Sequence, residues 1–183
     1  MSSDLATNAL AAPSADPEAA RTLPLVQDFA ILCAAAAGVA HGVSTPEHFR
    51  WWQASGVFFA ALTLFQVGLA VALFLGRTSL KVLLTGLWGN VLVVAVYVAS
   101  RLMALPGQPG TGAHGAPRAP GRSYLRPQAE GIGPFDMFSL VVELALIGAL
   151  VVMLPAIWRR RTSSMLMWGG LAMWGLAVIG LFF

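Results

Sequence analysis

The feature that most constrains this chain is a series of apolar stretches, each about 20 residues long, the length an α-helix needs to cross the hydrocarbon core of a bilayer. The stretch from Trp51 to Gly76 carries no charged residue, and neither does the one from Thr162 to Phe183. Soluble domains carry about 25% charged residues, whereas this chain of 183 residues has 10%, with 57% hydrophobic residues and a mean hydropathy of +0.74. Water-facing surface needs charge and lipid-facing surface excludes it. The composition therefore excludes an ordinary soluble enzyme. The net charge of +3 comes from basic residues that flank the apolar runs, a pattern of membrane orientation rather than of nucleic-acid binding.

The pattern predicts an all-α polytopic membrane protein: a four-helix transmembrane bundle plus a fifth, accessory C-terminal transmembrane helix. The expected spans are 25–43, 46–76, 82–105, 134–158 and 164–183. Residues 1–24, polar and rich in Ala, Pro and Ser, read as a disordered tail without the basic-then-apolar order of a signal peptide. The first break is expected at Ser44-Thr45-Pro46. Ser44 and Thr45 are good N-caps, Pro46 suits a first turn, and Ser44 and Glu47 have capping-box spacing. Pro106 stops the third span, and the Gly/Pro-rich segment 106–133 reads as a long extracytoplasmic loop. Pro155 is placed to kink the end of the fourth span.

Short loops carry Arg77 and Lys81 on one connection and Arg159, Arg160 and Arg161 on another. The positive-inside rule puts both, and the N-terminus, in the cytoplasm of a bacterium and the C-terminus outside. The single cysteine, Cys33, lies within the first span and reads as a packing residue.

Polar side chains inside spans are costly, about 2.5–3.5 kcal/mol for a charge at the helix centre on insertion scales, so they should face protein or water. At 100° per residue each of the first four spans has one polar seam. His41 lies on the first; His48, Ser55 and Gln66 on the second; Asn90, Tyr97 and Arg101 on the third; Asp136 and Glu143 on the fourth. The fifth has none. Turned inward, these seams predict a polar cavity open to the outside, with Gln66 and Asn90 at its floor and Tyr97 and Arg101 in its wall.

Three readings follow. His41, His48 and Glu143 with Asp136 are imidazole and carboxylate donors suited to a divalent ion such as Zn or Cu, which makes a binding or transport-associated protein. Alternatively, the seam is interhelical hydrogen-bonding glue, at about 0.6–2 kcal/mol per bond. The chain is then an accessory subunit that docks on a second copy or a larger complex through the glycines of 164–183. A membrane enzyme with Glu143 as base ranks last, because neither a nucleophile elbow nor a phosphate-binding loop is present. Haem is disfavoured, since only His41 lies within a span and no second histidine sits at its depth.

The string AHGVSTPEHFRWWQASGVFFAALTLFQ, the Gly89-Asn90 pair, the segment SRLMALPG at Ser100–Gly107 and EGIGPFD followed by Glu143 together resemble a group of small, functionally unassigned bacterial membrane proteins, chiefly actinobacterial. The resemblance covers about residues 30–155. It implies a four-span unit in which His41, His48, Gln66, Asn90, Arg101, Asp136 and Glu143 belong to the pattern, and it transfers no activity.

Overall fold

A computed structural model describes residues 17–102, 111–112, 116–117 and 134–182, with side chains over 23–100 and 135–175. Five helices follow one another: α1 (Pro17–Trp51), α2 (Gln53–Phe74), α3 (Leu80–Leu102), α4 (Pro134–Met153) and α5 (Ala156–Phe182). Four of them contain segments long and apolar enough to cross a membrane: Leu23–Trp51, Gln53–Phe74, Leu80–Ser100 and Phe135–Met153. Residues 1–16 of the expected tail lie outside the described residues, and 17–24 already belong to α1. Most of the expected loop 106–133 also lies outside them, apart from the two-residue pieces Thr111–Gly112 and Ala116–Pro117, which pair antiparallel.

The break between the first two helices lies later in the chain than expected. Helix α1 does not end at Val43; it runs through Ser44, Thr45 and Pro46 to Trp51. Ser44 and Thr45 do not cap. Their hydroxyls donate to the carbonyls of Ala40 (3.0 Å) and His41 (2.7 Å) one turn earlier, the bond such residues make inside a helix. Pro46 lacks the N–H that would reach Gly42, a loss that transmembrane helices tolerate when neighbours pack around it. The chain instead reverses at Trp52, whose extended backbone (φ −158°, ψ 118°) starts α2 without a side-chain cap. Ser55 closes the turn by donating to the carbonyls of Trp52 (2.8 Å) and His48 (3.1 Å). Gly56 makes the reversal sterically possible, because a Cβ there would stand 2.8 Å from the Phe49 Cα.

The boundary between the fourth and fifth helices lies earlier than expected. Helix α4 stops at Met153, Pro155 divides the helices, and Arg159, Arg160 and Arg161 lie in the first turns of α5 rather than in a loop. At the far end of α2 the chain leaves through Gly76 (φ +71°). Gly76 N–H reaches the Leu73 carbonyl and Arg77 N–H the Ala72 carbonyl, both at 2.9 Å, a Schellman motif that needs the left-handed residue glycine allows.

Helix α1 packs against α2 and α4, and α3 against α4. The buried side of α1 is a stripe of small residues, Ala30, Cys33, Ala34, Ala37 and Ala40, ending at His41. Their spacing of three and four keeps them on one face, and their size lets two helices close on it at once. Leu69 and Leu73 of α2, Leu83 and Leu87 of α3 and Leu146 and Leu150 of α4 fill the space between. Each of these helices carries its polar residue in register with its leucines, so Gln66 (0% exposed), Asn90 (0%) and Glu143 (2%) enter the interior with them. Helix α5 packs chiefly against α4 and leaves Met165, Trp168, Leu171 and Trp174 exposed.

Candidate functional site

The α1–α2 turn, the end of α3 and the start of α4 meet at one end of the bundle around a cavity of about 360 Å³. His41 is buried at 5% exposure, and its Nε2 lies 2.7 Å from Oε1 of Glu143 on α4. Both side chains line the cavity. The hydrogen bond requires a proton between the two atoms. With a second proton on Nδ1 the pair has no net charge, the form a low-dielectric interior tolerates best.

His48 sits on the same helix as His41, not on the next one. Seven residues of α-helix place its Cα about 10.5 Å further along the axis. Its Nδ1 donates to the Ser44 carbonyl at 2.9 Å, so in the neutral ring Nε2 is left as an acceptor. Phe59 of α2 takes both imidazoles: it stacks on His48 (centroids 3.7 Å, 23°) and meets His41 edge-on (5.6 Å, 70°). The two rings therefore do not converge on one point. Among the described residues no three His, Cys, Asp or Glu side chains stand close enough to hold one ion. Zinc sites use three or four protein donors. The expected set of His41, His48, Glu143 and Asp136 supplies one contacting pair, with His48 and Asp136 elsewhere on the wall of the same cavity.

The expected polar cavity is also less polar than its seams implied. Its wall includes Trp51, Trp52, Phe58, Phe59, Tyr97, Phe135 and Leu140, with Ser44, Ser55, Ser100 and Ser139 among them. Nothing in the sequence marks Phe58 or Phe59 as lining, because an aromatic residue in an apolar run carries no signal of which wall it will form. Gln66 and Asn90 do not line the chamber. They lie beyond Leu62 and Val93, which do, and bond one another: Gln66 Nε2 donates to Asn90 Oδ1 at 2.7 Å, and Asn90 Nδ2 donates to the Gly86 carbonyl at 2.7 Å. Gln66 Oε1 is buried without a hydrogen-bond partner among the described residues. Gln27, which faces the same side as His41 in projection, donates to the Leu73 carbonyl at 2.8 Å and ties α1 to α2 at the opposite end. Arg101 lies on α3, and its side chain is outside the described residues.

Chemically, the site offers a proton-bearing imidazole–carboxylate pair, a second imidazole and an enclosure built largely of aromatic and aliphatic side chains. Compared with family models, curated proteins and solved structures, the chain matches none.

Proposed function

We propose that this chain is a multi-pass protein of the bacterial plasma membrane that binds a small molecule in the cavity beside His41 and Glu143. The carrying observation is the buried His41–Glu143 pair in the wall of a chamber otherwise mostly aromatic and aliphatic. Small-molecule sites typically have this form, about 300–1,000 Å³, mostly apolar, with a few placed polar groups. Stability alone does not account for the pair, because apolar residues of similar volume often hold a buried site equally well or better. An ionisable pair inside a span therefore points to use.

Arg77, Lys81 and Arg159–Arg161 lie at the end of the bundle opposite the cavity, as the order of the helices requires. The positive-inside rule then turns the cavity outward. Helix α5, at 27 residues, rises about 40 Å and is long enough to cross as a fifth span, which would put the C-terminus outside. Its exposed Trp168 (65%) and Trp174 (68%) support a second reading, in which α5 is the surface that docks on a larger membrane complex.

The test is thermal unfolding of the full chain in detergent with indole as probe, beside Val96→Trp and Ala54→Trp, which place a bulky ring in the cavity. Indole should raise the unfolding midpoint of the parent and leave the filled variants unmoved. Equal shifts in all three, or none in any, would reject the cavity as a binding site. Stabilisation by Zn²⁺ that His41→Ala abolishes would restore the metal reading.

A further inference from the structure

We infer that the cavity selects a protonated organic amine, an ammonium group on a compact apolar body; this rests on the small-molecule reading just given. Four donors of the wall are already spent on the main chain. Ser44 Oγ–H is engaged by the Ala40 carbonyl and Ser100 Oγ–H by the Tyr97 carbonyl. Ser55 Oγ–H is held between the carbonyls of His48 and Trp52, and His48 Nδ1–H by the carbonyl of Ser44. Each of these four groups has therefore turned its proton to the main chain. What they can offer a ligand is lone pairs. Glu143 adds to the same side of the balance: Oε1 is occupied by His41, and Oε2 is a further acceptor.

The aromatic wall agrees with this. Ring faces carry the negative lobe of the π quadrupole and attract ammonium groups, with Trp the strongest. Trp51, Trp52, Phe58 and Phe59 line the chamber. An anionic ligand would meet lone pairs, aromatic rings and a carboxylate. A neutral hydrocarbon would leave the lone pairs dry and unpaired, a penalised state. Among the described residues a bare divalent ion finds no third His, Cys, Asp or Glu donor. A primary ammonium pairs its N–H groups with these acceptors, and its alkyl or aryl body fills the apolar remainder.

The experiment is calorimetric titration of the full chain in detergent at neutral pH with three probes of similar shape: 2-phenylethylammonium, n-propylbenzene and 3-phenylpropionate. The ammonium should bind at least tenfold more tightly than the hydrocarbon, and the carboxylate weakest. His48→Phe keeps a ring stacked on Phe59 and removes the Nε2 acceptor. It should shrink the preference for the ammonium several-fold and leave the hydrocarbon affinity alone. Glu143→Gln should do so more strongly, and His48→Phe carries the test if that variant fails to fold. Equal affinity for ammonium and hydrocarbon, both blocked by Val96→Trp, would overturn the inference while the cavity-binding reading stands. No binding of any probe, with indole also inert, would overturn both.

Discussion

His41 and Glu143 stand 102 positions apart in the chain and 2.7 Å apart in the fold, each almost wholly buried. Removing one partner strands the other in a low-dielectric interior. Glu143→Leu and His41→Leu should each cost about 3–5 kcal/mol, and the double Leu variant should recover most of that loss. Denaturant or thermal unfolding of the four proteins in detergent reads the cycle. Additive losses in the double variant would mean that the two groups are not coupled.

The Gln66–Asn90 contact makes an asymmetric prediction. Gln66→Met removes one acceptor without a described partner, Oε1, and strands another, Asn90 Oδ1, while Asn90 Nδ2 keeps the Gly86 carbonyl, so the number of unpaired buried groups does not rise. Its cost should stay below about 1 kcal/mol, in line with interhelical bonds in bilayers. Asn90→Leu leaves Gln66 without its one described partner and should cost about 1–3 kcal/mol. The reverse order of stabilities would show that the amide pair is oriented otherwise.

At the α1–α2 reversal, Gly56→Ala forces a methyl against the backbone of Phe49 and should cost about 1–3 kcal/mol. Gly68→Ala, on the same helix with nothing within 4 Å of the added methyl, should be neutral or stabilising. The difference between the two melting temperatures isolates the close approach from any general effect of replacing glycine.

Orientation can be read with a membrane-impermeant thiol reagent, because Cys33→Ala removes the single native cysteine. Thr78→Cys, between α2 and α3, should react only after the cytoplasmic face is opened, and Glu47→Cys, near the α1–α2 turn, should react in intact cells. A reporter fused after Phe183 should score outside if α5 spans the bilayer. A cytoplasmic reporter would leave α5 on the inner surface, with its arginines at the lipid headgroups.

Much of this architecture is legible along the chain because lipid imposes a simple code. Length and apolarity mark the spans, and a polar residue repeating at helical spacing must point inward. That logic anticipated the burial of Gln66, Asn90 and Glu143 from a single helix each. It misplaced the first reversal, because Ser44-Thr45-Pro46 is chemically a good helix start. What overrides it is packing: Gly56 against Phe49, and Ser55 on the His48 carbonyl of α1, are contacts between segments that no local pattern contains. The error moved His48 onto the helix of His41, about two turns away, and left Glu143 as the group that His41 contacts.

By itself, then, the order of residues determined which segments are helical and membrane-compatible and which face of each turns inward, since both depend on periodicity and on the cost of polar groups in lipid. Only the tertiary structure decided which inward groups meet. His41 reaches Glu143 rather than His48, and Gln66 reaches Asn90, because the height and rotation of each helix are set by side-chain fit against its neighbours, a quantity written in no single segment.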